Sequence, residues 1–126
     1  MQELRNMPSA ELVSLLSMAA LYILAGLNHF RDPSMYLKIT PPWVRSPAKV
    51  NVLVGAIEII LALLLLYETT RSYSAIGIIV LLIAIFPANI RHYQLAKKNG
   101  RSVLPSLIRL PLQAILIYWS YTFISI

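Results

Sequence analysis

Six residues of this chain have the types to do chemistry where chemistry is not expected: His29, Asn51, Glu58, Asn89, Arg109 and Gln113 all fall within or at the edge of long apolar blocks. In hydrocarbon an ionisable side chain costs about 2.5–3.5 kcal/mol even on permissive insertion scales, so each must be neutralised, paired or in use. A carboxylate, an imidazole and a guanidinium set among amides can hydrogen-bond the carbonyls or hydroxyls of a lipophilic molecule and relay protons to it. Glu58 lies in a block that begins near residue 48. At 1.5 Å per helical residue it is roughly 15 Å deep, near the middle of a ~30 Å core. Arg109 opens the last block with Gln113 one turn deeper on the same face, and its side chain is long enough to reach towards Glu58. The same residues also serve a blander purpose in many membrane proteins, as hydrogen-bonding glue between helices.

Something must hold these groups together, and the apolar blocks supply it. Four of them, at about 10–30, 48–67, 73–90 and 105–125, each approach the roughly 20 residues that a helix needs to cross a bilayer. Lipid forces such segments to be helical, because every backbone amide must be satisfied within its own segment. The expected fold is therefore all-α: one integral membrane four-helix bundle spanning residues 1–126, with no polar or Gly/Ser-rich linker dividing it. Ser9 is placed to cap the first helix, with Glu11 favourable in its first turn. That block ends in Asn28, His29 and Phe30 rather than a small-residue cleavage site, so it is expected to remain as a helix and not leave as a signal peptide. Spacing points the polar set inwards. Asn51, Gly55, Glu58 and Ala62 form one stripe, and Ala19, Tyr22, Gly26 and His29 form another, with small residues for close backbone approach.

Composition agrees. Hydrophobic residues make up 58% of the 126 and charged residues 13%, about half the usual share in soluble domains. The net charge of +6 comes from short connections between apolar blocks, a membrane-topology pattern and not a nucleic-acid one. Arg31, Lys38, Arg45, Lys49, Arg91, Lys97, Lys98 and Arg101 fall in the first and third connections, against Arg5 and Arg71 on the other side. The positive-inside rule then makes basic loops one and three cytoplasmic and both termini extracytoplasmic. The polar residues converge on that cytoplasmic half.

The connection 31–47 carries four prolines, which forbid a continuous helix, together with Tyr36 and Trp43 among basic residues. These two aromatics are expected to anchor an interfacial loop between helices one and two, with a short helical turn at most. The stretch 68–72 reads as a tight turn joining helices two and three, and 91–104 as a polar, basic connection in which Lys97, Lys98, Asn99 and Gly100 form a helix C-terminal charge cluster followed by a stop. Pro87 and Pro111 are placed to kink helices three and four and free carbonyls near the polar set. There is no cysteine, which removes thiol redox chemistry and cysteine-ligated metals. No metal-ligand spacing, phosphate loop or Ser/His/Asp arrangement occurs, so no self-contained catalytic motif is visible. Two histidines near helix ends make a poor case for a bis-histidine haem.

At these residues the chain resembles the DoxX-like family of small four-helix membrane proteins, from about Gly26 to Trp119. The motifs agree in order: Gly26, His29-Phe30, Pro33 and Tyr36; the proline-bounded connection to Pro47; Gly55 with Glu58; Phe86-Pro87-Ala88-Asn89; and Arg109-Leu110-Pro111-Leu112-Gln113 followed by Trp119. The resemblance implies association with membrane redox complexes, the family being named for a subunit of a thiosulfate:quinone oxidoreductase. More distant relatives resemble assembly chaperones for membrane receptors. Without cysteine, thiol-based sulfur chemistry is not open to this chain; quinone contact is.

Three functions follow as expectations. The first is an accessory or redox-associated membrane subunit, at most part of a quinone-linked oxidoreductase, that binds a lipophilic small molecule such as quinone among His29, Asn51, Glu58, Asn89, Arg109 and Gln113. The second is a non-enzymatic scaffold or assembly chaperone, with a membrane protein partner or a second copy of itself. The third is a small proton-coupled exporter, disfavoured because Arg109 would repel cationic cargo. In each the chain sits in a lipid bilayer, with no intrinsic cofactor.

Overall fold

The computed structural model describes residues 2–124, and these are helical with no strand among them. In chain order the helices are α1 (Gln2–Arg5), α2 (Ser9–Arg31), α3 (Pro33–Ile39), α4 (Pro47–Leu65), α5 (Glu68–Ala84), α6 (Phe86–Lys98) and α7 (Leu104–Tyr121). Three stretches are long and apolar enough to cross a membrane: Ser9–Arg31, Pro47–Leu65 and Glu68–Lys98, the last combining α5 and α6. In α7 the apolar run is broken by Arg109, Pro111 and Gln113.

The helix ends depart from the sequence expectation in physically readable ways. Pro8, not Ser9, takes the N-cap position of α2, with extended backbone, and no side chain caps it. The segment 68–72 is not a turn but the first turn of α5, with Glu68 favourably placed against the helix dipole. The basic stretch after residue 90 is helical as far as Lys98, since nothing in it breaks a helix before Gly100, which takes a left-handed φ of 68°. Instead the break comes at Ile85, just ahead of Pro87. The loop after α2 is more ordered than a single turn, because Pro33 at N1 starts the seven-residue α3.

Packing begins with α2 against α4. The buried stripe Leu15, Met18, Ala19, Tyr22, Gly26 and His29 on α2 faces Asn51, Gly55, Glu58, Ala62 and Leu65 on α4. Gly26 and Gly55 let the two backbones approach: a Cβ at Gly26 would lie 2.6 Å from the Gly55 carbonyl oxygen, and one at Gly55 2.9 Å from both the Gly26 oxygen and the His29 Cβ. Further contacts join α4 to α5, α5 to α7 and α6 to α7, while α3 lies against α4 and α6. Leucines, isoleucines and valines on the outer faces, among them Leu24, Ile60, Val80 and Ile115, are exposed.

The two ends of the molecule differ in chemistry. One holds an apolar core of Leu4, Leu15, Met18, Ala62, Leu65, Ala75, Ile78 and Phe123, tied by Trp119 Nε1 donating to Ser14 Oγ (2.8 Å) and Ser120 Oγ donating to the Ala75 carbonyl (2.8 Å). Arg71, expected to be a loop cation, is 1% exposed there. Its guanidinium donates to the carbonyls of Leu65 (3.0 Å) and Leu66 (3.2 Å), closing the C-terminal end of α4. The other end opens into a cavity.

Candidate functional site

The cavity has a volume of about 600 Å³. Leu21, Tyr22, Ala25 and His29 of α2 form one wall, and Val50, Asn51, Val54 and Glu58 of α4 the next. Leu81, Leu82 and Ala84 of α5, with Pro87, Ala88 and Asn89 of α6, close the far side, where Arg109 and Leu116 enter from α7. Tyr36 and Ile39 of α3, with Thr40, Pro41, Trp43 and Val44 after it, cover the mouth. The wall is mainly aliphatic, with its polar groups gathered into two stations.

The first station is built by the glycine crossing. Because α2 and α4 touch backbone to backbone at Gly26 and Gly55, Asn51 can reach across to His29: its Nδ2 donates to the His29 carbonyl at 2.8 Å, and its Oδ1 lies 2.7 Å from His29 Nδ1. An amide oxygen only accepts, so His29 Nδ1 carries a proton and donates it. Nε2 is then the nitrogen left to exchange a proton, and it faces Glu58 Oε1 at 3.5 Å. One proton shared between Nε2 and Glu58 leaves the pair net neutral in either arrangement, which is what a low-dielectric setting demands. Tyr36 stacks on the imidazole, with centroids 3.7 Å apart and planes 20° from parallel, and its hydroxyl accepts from Asn28 Nδ2 at 2.7 Å. Two buried polar atoms here have no hydrogen-bond partner among the described residues: Glu58 Oε2 and the Tyr22 hydroxyl, each on a residue 5% exposed. Leaving such an atom unpaired costs about 1–3 kcal/mol.

The second station forms where α5 ends. The break at Ile85 leaves the last carbonyls of α5 without helical partners. Gln113 Nε2 donates to one of them, that of Leu82, and Gln113 Oε1 accepts from Asn89 Nδ2, so a single side chain links α7, α5 and α6. Arg109 lines the cavity beside this link and donates from NH1 to His92 Nδ1 at 3.2 Å.

The structure thus gathers His29, Asn51, Glu58, Asn89 and Arg109 around one cavity, with two changes from the sequence expectation. Gln113 is buried behind the wall, spent on its two helix-linking bonds. No ion pair joins Arg109 to Glu58 among the described residues; Glu58 meets His29 from the neighbouring α2, and Arg109 meets His92. Of the two aromatic anchors, Trp43 is 72% exposed at the mouth, whereas Tyr36 turns inward onto His29. Tyr22 belongs to the site and was legible only as a stripe residue. Its unpaired hydroxyl appears once α4 is in place.

These features define a class: an all-helical chain with, among the described residues, three helices long and apolar enough to cross a membrane, and an apolar cavity with a His–Glu pair in its wall. The chain belongs to the family described as Domain of unknown function (DUF8561), whose model matches residues 18–124. No curated protein and no solved structure matches the chain at a significant level.

Proposed function

We propose that the chain is a multi-pass protein of the cell membrane with four crossings, α2, α4, α5 continued by α6, and α7, which binds a lipophilic small molecule in the cavity between them. Basic loops one and three face the cytoplasm in this reading, and both termini lie outside. The observation that carries it is the cavity itself, within the usual 300–1,000 Å³ of small-molecule sites and mostly apolar, with few convergent polar groups. Glu58 Oε2 and the Tyr22 hydroxyl, unpaired and buried, supply an acceptor and a donor for a ligand's polar end. A quinone fits that chemistry, its carbonyl accepting from Tyr22 and the His29–Glu58 pair furnishing a proton. The DoxX-like motifs support the same reading, of an accessory or redox-associated subunit whose electrons come from a partner.

The test is mass spectrometry of small molecules extracted from the detergent-purified protein, wild type beside Glu58→Gln. One defined lipophile at about one per chain, lost in the variant, is the expected result. Bulk phospholipid alone in both samples would refute it.

A second reading, a scaffold or assembly chaperone, draws on the exposed Trp43 on a proline-rich loop. Photo-crosslinking from position 43 to one recurring membrane protein, with no defined lipophile in the cavity, would favour it.

A further inference from the structure

Arg109 lines the cavity with no acidic partner among the described residues. Its guanidinium cannot accept a hydrogen bond or lose its proton, so in the 3.2 Å contact with His92 Nδ1 the imidazole must be the acceptor and therefore neutral. No acidic side chain lies within ion-pair distance of Arg109 among the described residues. Glu58 offers no compensation, because it is spent on His29. A cation half-buried against an apolar wall is costly unless an anion joins it.

We propose that the cavity's ligand is a single-chain amphiphile with an anionic head, a carboxylate or a phosphate, seated on Arg109 with its tail along the aliphatic wall of Val54, Leu81, Ile85 and Leu116. This rests on the reading above that the cavity holds a lipophile, and it sets an anionic head at Arg109 in place of a neutral quinone head at Tyr22 and Glu58. The cavity, at about 600 Å³, lies within the range of small-molecule sites, and its aliphatic wall suits an acyl chain. Asn89 is held beside Arg109 by Gln113 and offers a second polar contact to the head. At the other station the Tyr22 hydroxyl and Glu58 Oε2 are far less suited to an anion, since a carboxylate oxygen repels one.

The test uses full-length protein in zwitterionic nanodiscs at alkaline pH, where palmitic acid is ionised. Binding of radiolabelled palmitate is measured and competed with hexadecyl phosphate and with methyl palmitate. A charge-assisted contact predicts that an acid binds roughly ten- to a hundredfold more tightly than the ester. Arg109→Gln should erase that preference and Arg109→Lys should keep most of it. The tighter of the two acids tells whether the natural head is a free carboxylate or a lipid phosphate. Equal affinity for acid and ester in the wild type would overturn the anion site while leaving a cavity that binds lipophiles. Failure of all three probes, with only bulk phospholipid extracted, would overturn the cavity reading as well. If Arg109→Gln does not fold, the acid-to-ester ratio of the wild type decides alone.

Discussion

Replacing Gly55 with alanine should separate α2 from α4 and disturb the first polar station without touching any of its side chains. The added Cβ would meet the Gly26 carbonyl oxygen and the His29 Cβ at 2.9 Å, and neither belongs to a flexible side-chain end that can swing aside. The helices must shift apart, and overpacking of this kind costs about 1–3 kcal/mol. Asn51 then loses reach to His29, and its two bonds, at about 0.6 kcal/mol each for interhelical pairs in a membrane, add roughly 1 kcal/mol. Against this, Gly→Ala in a helix returns about 1 kcal/mol of propensity. The net expectation is a loss of about 1–3 kcal/mol, a fall of several degrees in Tm followed by circular dichroism in detergent. Gly77→Ala is the control: its Cβ would meet only the tip of the Leu61 side chain, which can rotate away, so the propensity gain should leave it as stable as wild type or more so. Equal stability for Gly55→Ala and Gly77→Ala would refute the close crossing, and with it the account of how His29 is positioned.

Gln113→Leu should cost about 1–3 kcal/mol, since it strands the Asn89 amide and the Leu82 carbonyl together; an unchanged Tm would mean that the link across the Ile85 break carries no weight. Tyr22→Phe removes a hydroxyl with no protein partner, so thermal stability should hold while retention of the extracted lipophile falls. Retention equal to wild type would remove Tyr22 from the binding site. Because the chain has no cysteine, single cysteines report topology cleanly. A membrane-impermeant maleimide added to intact cells should label position 5 and leave position 97 unlabelled until the cells are opened, and the reverse pattern would invert the orientation.

Much of the site was legible because polar residues in apolar blocks are conspicuous. Glu58, His29 and Asn51 fall on stripes of helical spacing, which fix the face each presents. The stripes do not fix which helices pair or how far apart they sit. That is why Arg109 was expected to reach Glu58, when the glycine crossing had already brought His29 to it and left His92 as the neighbour of Arg109. Tyr36 has a contact that its sequence position does not reveal, for a related reason. An aromatic in a basic, proline-bounded connection reads as an interfacial anchor, and only the folding back of α3 towards the end of α2 shows that its ring covers an imidazole. Arg71 and the stretch after residue 90 read as connections because of their charge, although charge does not end a helix; the stop at Gly100 was legible, and the break at Ile85 ahead of Pro87 was legible only as a kink. Gln113 links α7 to α5 and α6 behind the cavity wall, which the sequence does not reveal, because an amide that binds a ligand and one that satisfies a broken helix look alike there.

The central claim, that a lipophile occupies the space between the helices, is tested most directly by photolabelling. A photoactivatable alkyl carboxylate, equilibrated with the wild-type protein in nanodiscs and mapped by peptide mass spectrometry, should mark Val54, Ile85 and Trp43 on the cavity wall, and excess unlabelled palmitate should prevent it. Labelling confined to the outward faces, at Leu24, Ile60 and Val80, and insensitive to competition would contradict the claim and leave the His29–Glu58 pair as a fastening between helices.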